Sequence, residues 1–436
     1  MLSLEELLEK VKSKNITACI IGLGRVGLPL STVFAINGLK VYGVDIDEKK
    51  LELIRKTQSP FYDVPLQETL EKANKSGNFV VVNSLDLIQE NTDVIIITTG
   101  TPNTVENEVD YNQLYGALEE VCKISIKNKF IILRSTLPPK TTEEIVIPFL
   151  EDKTGLKPGI DFGIAMCPER ILEGQAIKEI YELPEIIGGI NDISNQIASN
   201  FFKIINPEKE VLFTSPAGAE LSKLFANIYR YISFALSNEF AIWAERYGLD
   251  ASELIKISNY KYSRSNIPIP GFVGGPCLSK DGTFLDKNTT FASIVSTAWK
   301  LNESIPKHIV NNLRELVGLI FNKKIAVLGV SFKSGSDDTR QSPAIKLIDI
   351  LKSYHAEVLI HDPYVKGTLS IENVLQKPDI VIIATNHKEF KNLIPQLNQC
   401  GCKLIYDVWG MFDKSDFVNI KYVKFGQGIT SNSNKH

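Results

Sequence analysis

The stretch Thr17-Ala18-Cys19-Ile20-Ile21-Gly22-Leu23-Gly24-Arg25-Val26-Gly27-Leu28-Pro29 decides how this chain folds. Residues 18–22 form an apolar run without alternation, the pattern of a strand covered on both faces. Three glycines follow in the spacing Gly22-x-Gly24-x-x-Gly27, and helical spacing takes over across residues 28–37. A second apolar run, residues 40–44, ends in Asp45, 23 residues after Gly22. That order predicts strand, tight turn, helix and strand, a βαβ unit. Gly22 suits the turn, Gly24 leaves the backbone open to close approach, and Gly27 lets the helix pack tightly on the strand. A pyrophosphate fits the N-terminus of such a helix. A carboxylate at Asp45 accepts hydrogen bonds from ribose hydroxyls and repels a 2′-phosphate, which favours NAD over NADP. The alternative is the same fold without its ligand.

Working outward, residues 92–98 and 130–133 are further buried-strand candidates, the second followed by Arg134-Ser135-Thr136-Leu137-Pro138-Pro139. From 217 to 247 there is no proline, and Leu221, Leu224, Phe225, Ile228, Ile232, Leu236 and Phe240 recur at helical spacing. A long helix is expected there, buried or at an interface, with another over 250–257. The βαβ grammar then returns: residues 324–329, 356–362 and 378–385 repeat the order of 18–22, 39–45 and 92–98. The expected fold class is α/β, two Rossmann-like doubly wound parallel-sheet domains joined by a central helical domain with a long helix. The expected boundaries are residues 1–214, 215–303 and 304–436, with residues 430–436 a polar, frayed tail.

Composition agrees with about three domains in 436 residues. Hydrophobic residues at 44% and charged residues at 23% exclude a disordered or fibrous chain. The 48 Lys and Arg against 51 Asp and Glu give a net charge of −3, which offers no support for a nucleic-acid or membrane-surface partner. No stretch reaches the roughly 18–20 apolar residues of a membrane span. The first ten residues read as an amphipathic helix rather than a signal peptide. Six cysteines are too sparse for a disulfide framework, and Cys400-x-Cys402 is not a zinc spacing, so no metal and a cytoplasmic location are expected.

Three further stretches carry chemistry. Pro270-Gly-Phe-Val-Gly274-Gly275-Pro276-Cys277-Leu-Ser-Lys280-Asp281 places a thiol where backbone can approach a ligand. Neighbouring cations would activate a thiolate there, although a small buried cysteine fits the same residues. Glu169 and Glu173 stand four apart, on one face if helical, as do Lys223 and Asn227 on the long helix, with Arg230 one turn on. A lysine buried there calls for a carboxylate or phosphate partner. In the repeat, Gly329-Val-Ser-Phe332-Lys333-Ser-Gly335 lacks the three-glycine spacing and offers Lys333, followed by Arg340. Two such cations suit a diphosphate held by side chains; a solvated charged loop is the alternative.

Together these stretches resemble the UDP-glucose/GDP-mannose dehydrogenase family, NAD-dependent nucleotide-sugar 6-dehydrogenases, over residues 17–428. The resemblance rests on residues 22–29, 135–139, Pro168-Glu169-Arg170, Lys223-x-x-x-Asn227, Gly274-Gly-Pro-Cys277-x-x-Lys280-Asp281 and Asp338-Thr-Arg340-x-Ser342-Pro343. It implies a four-electron oxidation of the sugar C6 alcohol to a carboxylate with two NAD in turn. Cys277 would capture the aldehyde as a thiohemiacetal, pass through a thioester and release the acid by hydrolysis. Lys223 and Asp281 would handle the alcohol proton and the developing oxyanion, with Asn227 and Thr136 positioning water and substrate. Glu169 would activate the hydrolytic water, with Glu173 nearby. The cofactor would be held by Gly22, Gly24, Val26, Gly27, Asp45, Thr101, Thr136 and Lys280. The UDP-sugar would meet Glu169, Arg170, Ile171, Glu173, Lys223, Asn227, Arg230, Tyr262, Gly274, Phe332, Lys333 and Arg340. Arg264 resembles an arginine lent across a dimer interface, and the long helix resembles a dimerisation element, giving a homodimer or a larger oligomer.

Within the family, Glu169-Arg170, Asn227-Ile-Tyr-Arg230 and Arg264-Ser-Asn-Ile-Pro resemble enzymes acting on UDP-N-acetylmannosamine or UDP-N-acetylglucosamine. Glu173-Gly174 is closer to the UDP-glucose type, and Tyr262 departs from the basic residue of some acetamido enzymes. A two-electron hydroxy-acid dehydrogenase would need neither Cys277 nor the C-terminal repeat. A non-catalytic nucleotide-binding protein would not need Cys277.

Overall fold

The structure, a computed structural model, describes residues 3–88, 92–104, 108–276, 278–286 and 294–428. The chain forms two compact units, residues 1–226 with 283–285, and residues 227–282 with 286–436.

The first unit is built on an eight-stranded sheet of order β3-β2-β1-β4-β5-β6-β7-β8. Its strands are β1 (Thr17–Ile21), β2 (Lys40–Val44), β3 (Phe79–Val82), β4 (Val94–Ile97), β5 (Phe130–Leu133), β6 (Gly163–Met166), β7 (Glu185–Gly189) and β8 (Val211–Phe213). The apolar runs lie in its middle: every residue of β4, β5 and β6 is buried, because helices cover both faces. The helix after the glycine turn is Gly27–Ile36, buried from Gly27 to Ala35. The opening helix, Leu4–Lys12, is capped by a reciprocal Ser3–Glu6 box and buries Leu4, Leu7, Leu8 and Val11. All strand pairs are parallel except β6 with β7. The reversal puts the start of β7 at the same end of the sheet as the end of β5. It thereby brings Glu185 to Arg134, a pairing that a parallel β7 would forbid.

The second unit contains a five-stranded, all-parallel sheet of order β10-β9-β11-β12-β13. The strands are β9 (Lys324–Leu328), β10 (Glu357–His361), β11 (Ile380–Ile383), β12 (Leu404–Asp407) and β13 (Lys421–Lys424). The order around the first three repeats β2-β1-β4, as the sequence repeat predicts. The long helix runs Pro216–Arg246, and the following one is Ala251–Asn259, N-capped by Asp250. Ala241 and Ala244 of the long helix share a core with Ile309, Leu313, Val327 and Tyr406. Among the described residues no helix is long and apolar enough to cross a membrane.

Candidate functional site

The first cluster forms where β1 and β2 end. Gly22 adopts φ +96°, and its N–H donates to Val44 O at 2.8 Å. A Cβ on Gly27 would lie 1.9 Å from Gly22 O, so the helix start and the turn touch through bare backbone. A Cβ on Gly24 would meet nothing within 4 Å, so its backbone faces open space. Val26 is the N-cap residue of that helix. Asp45 is buried: Oδ2 accepts from Leu23 N at 2.7 Å and Lys50 Nζ at 2.6 Å, and Oδ1 accepts from Asp47 N at 2.9 Å. A carboxylate offers about four acceptor positions, so among the described residues one remains on Asp45. Thr101 Oγ1 donates to Thr136 O at 2.6 Å and joins the ends of β4 and β5. A dinucleotide fits this arrangement: open backbone for a pyrophosphate, a helix start behind it, and an acceptor for a ribose hydroxyl.

The second cluster lies at the end of β5. Arg134 is 4% exposed and stacks on Phe202, 4.8 Å from the ring centre. Its Nε donates to Glu169 Oε2 at 2.7 Å, and its Nη1 to Glu185 Oε1 at 2.6 Å and Cys167 O at 3.2 Å. Glu169 Oε1 also accepts from the backbone N–H of Arg170 (2.7 Å) and Ile171 (2.9 Å). Burial alone would raise the Glu169 carboxyl, but Arg134 and the two amides hold it below its ordinary value. Burial dominates at Glu185 and pushes it up in spite of Arg134. The two glutamates of this stretch do not share a helix face. Residues 168–175 form a loop, because Pro168 has no N–H and Gly174 takes φ +76°. Glu173 instead pairs with Arg25 of the glycine turn at 2.5 Å, and Arg170 donates to Pro184 O.

On the long helix Lys223 is buried, and among the described residues nothing hydrogen-bonds or pairs with it. Asn227 and Asp281 are buried together, with Nδ2 donating to Oδ2 at 2.6 Å. Lys280 Nζ lies 3.3 Å from Asp281 Oδ1. Arg230, one turn further on the same helix, is exposed. Cys277 lies outside the described residues. The glycines before it are tightly seated: a Cβ on Gly274 would lie 2.4 Å from Pro343 Cδ, and one on Gly275 2.8 Å from Phe332. Gly275 N donates to Gln341 O at 3.2 Å. The glycine loop thus rests on the segment that carries Phe332, Lys333 and Arg340. Arg340 is held by Asp338 at 2.5 Å and is largely exposed. Arg264 and Tyr262 are exposed and stack on each other at 4.8 Å.

No sequence spacing singles out Lys50, Arg25, Glu185 or the role of Arg134. A usable signal existed for Glu185. It begins the apolar run Glu185-Ile-Ile-Gly-Gly, and a carboxylate entering a buried strand requires a cation.

Residues 16–206 match the NAD binding domain of the UDP-glucose/GDP-mannose dehydrogenase family, residues 217–305 its central domain and residues 326–414 its UDP binding domain. The chain belongs to this family. It is an NAD-dependent UDP-sugar dehydrogenase. Among relatives of this dehydrogenase, the UDP-N-acetyl-D-mannosamine dehydrogenase of Pyrococcus horikoshii is 34% identical over 86% of this chain and 90% of its own. That of Methanococcus aeolicus is 36% identical over 88% of both chains. A solved UDP-D-ManNAc dehydrogenase from Pyrococcus horikoshii has a TM-score of 0.88 at 31% identity, covering 95% of this chain and 100% of that one. The UDP-N-acetyl-mannosamine dehydrogenase Cap5O of Staphylococcus aureus has a TM-score of 0.83 at 30% identity, covering 94% and 98%.

Proposed function

We propose that this dehydrogenase oxidises the C6 alcohol of a UDP-N-acetylhexosamine to the uronate, with N-acetylmannosamine ahead of N-acetylglucosamine. The observation that carries the sugar assignment is that relatives 34% and 36% identical over most of the chain are named UDP-N-acetyl-D-mannosamine dehydrogenases. NAD, when bound, supplies the hydride acceptor, and a four-electron oxidation takes two.

The chain's own residues divide the work. Cys277 is the nucleophile: its thiolate adds to the aldehyde carbon, and the thiohemiacetal keeps the aldehyde bound until it becomes a thioester that water hydrolyses. Lys223, an ammonium buried without a partner among the described residues, stabilises the developing oxyanion, and the Asp281 carboxylate receives the alcohol proton. The Asn227–Asp281 pair and Thr136 orient substrate and water. Glu169, kept ionised by Arg134, holds the hydrolytic water as an acceptor. Lys333 and Arg340 take the diphosphate, Phe332 and Gly274 line the nucleotide, and Arg170, Ile171 and Glu173 flank the sugar.

We also assign three domains, residues 1–214, 215–303 and 304–436, working in the cytoplasm as a homodimer. Tyr229, Leu236 and Trp243 leave an exposed apolar stripe along the long helix, which supports a helix-mediated dimer. Arg264 would then reach the neighbouring subunit.

The test is NAD reduction with a panel of UDP-hexoses and UDP-N-acetylhexosamines, counting NADH per sugar. Two NADH with UDP-N-acetylmannosamine are expected. A preference for UDP-glucose overturns the sugar, and one NADH per sugar overturns the thioester route.

A further inference from the structure

The second unit contains a fully buried histidine that no step above uses. His387 follows β11 and is 0% exposed. Its Nδ1 accepts the backbone N–H of Gly335 at 3.1 Å. Its Nε2 lies 3.1 Å from Asp362 Oδ2 and 3.2 Å from Ser331 Oγ. An imidazole that accepts at Nδ1 carries its proton on Nε2, so the hydrogen bonds select the neutral Nε2–H form. Asp362 in turn accepts from Val330 N (2.8 Å) and Ser331 N (3.1 Å) at Oδ2, and from Tyr364 N and Val365 N at Oδ1. Ser334 Oγ donates to Asn386 O, and Thr385 Oγ1 to Ser331 O, both at 2.7 Å. Residues 330–335 are therefore tied at both ends to the two neighbouring strands. His387 is the side chain that reaches Asp362 and Gly335 at once. Phe332 and Lys333 sit at the crown of that loop.

We propose that His387 is a positioning residue for the UDP-sugar: in its Nε2–H form it pins residues 330–335 to Asp362 and so sets where Phe332 and Lys333 meet the nucleotide. This rests on the reading of the C-terminal unit as the UDP site. The groups that face the ring are Asp362 and Tyr364 from the end of β10, with Tyr364 at 4.9 Å between ring centres. Phe390 packs at 5.3 Å, Lys388 and Glu389 adjoin His387 in its own segment, and Lys333 is on the loop. Protonating Nδ1 replaces the acceptor with a donor aimed at the Gly335 N–H and frees that end of the loop.

The experiment uses the full chain and UDP itself as the probe. His387→Leu removes both bonds and should weaken UDP binding by about tenfold or more, with NAD affinity within about twofold. His387→Asn presents a carbonyl oxygen toward Gly335 and should regain part of the loss. Should His387→Leu fail to fold, His387→Asn still decides through pH. Wild-type UDP affinity should fall toward acid more steeply than that of His387→Asn, which cannot be protonated at that atom. Superimposable pH profiles, or UDP binding unchanged in the folded variants, overturn the proposal. Lys333→Ala separates the two readings. If it weakens UDP binding while the His387 variants do not, only the positioning role fails; if it too has no effect, the UDP reading of this loop fails.

Discussion

The two sheets end in the same turn and use it for different ends. Gly22 and Gly329 take φ +96° and +91°, and each donates its N–H to the end of the next strand at 2.8 Å. The residue after each glycine donates to the aspartate that closes that strand, Leu23 to Asp45 at 2.7 Å and Val330 to Asp362 at 2.8 Å. There the likeness stops. Asp45 is met by an ammonium, Lys50, and among the described residues keeps an acceptor position. Asp362 is saturated by four backbone amides and His387. A conserved-looking turn therefore does not imply a common ligand chemistry. What stands beside the carboxylate decides whether it keeps an acceptor for a ligand or braces a loop, and on the proposed assignment the braced loop holds its nucleotide with side chains.

The sharpest way to break this comparison is to remove each carboxylate. Asp362→Ala leaves His387 and four amides without an acceptor, in a buried place, and should lower the unfolding free energy by about 3–5 kcal/mol in denaturant melts. Asp45→Ala should cost clearly less stability. If the two losses are equal, the division into brace and ligand group is wrong.

Another buried carboxylate sharpens the point, because no cation pairs with it among the described residues. Glu220, at 1% exposure, accepts Lys140 N at 2.5 Å, and Thr142 N and Oγ1 at 2.8 and 2.6 Å. Burial dominates, and its carboxyl is pushed up to about 7 from an ordinary 4.5. The folded chain therefore binds this proton more tightly than the unfolded chain. Between about pH 4.5 and about 7, the stability Glu220 contributes declines as pH rises, by about 3 kcal/mol at most. Glu220→Gln should flatten that part of the stability profile relative to wild type. Parallel profiles would show that Glu220 stays ionised when buried.

Returning to the pair, Asp45→Ala should weaken NAD binding by about tenfold to a hundredfold while leaving UDP binding unchanged, measured by calorimetry. Equal weakening of both would refute two separate nucleotide sites.

Much of this contrast is legible in the sequence, and the missing part has a physical reason. Apolar runs and glycine spacing are local, so β1, β2, β4, β5, β9, β10 and β11 could be read, as could the long helix to within a residue at each end. The strand β7 could not, because its antiparallel pairing with β6 is non-local, as is the meeting of its Glu185 with Arg134, 51 residues earlier. The same holds within the site. Gly22, Gly27 and Asp45 carry a spacing, whereas Lys50 is one lysine in the charged run Glu48-Lys49-Lys50 until the fold turns it onto Asp45. His387 looked like one of five scattered histidines. Only the closing of β9, β10 and β11 side by side places Asp362, Gly335 and His387 together.

The smallest expected effect tests the neighbour rather than the carboxylate. Lys50 is partly exposed and its ammonium lies 2.6 Å from Asp45 Oδ2. It offsets part of the negative charge that a 2′-phosphate would meet. A pair this exposed is worth at most about 1 kcal/mol, so Lys50→Ala should change NAD affinity by no more than about fivefold. It should act unevenly on the two cofactors. With the ammonium gone, Asp45 repels a 2′-phosphate more strongly, and the preference for NAD over NADP should rise by about fivefold in the ratio of kcat/KM values. If both cofactors lose equally, Lys50 only holds the Asp45 side chain in place. If NADP gains, the carboxylate is not what selects the cofactor, and the contrast between the two aspartates would have to be traced to the loops instead.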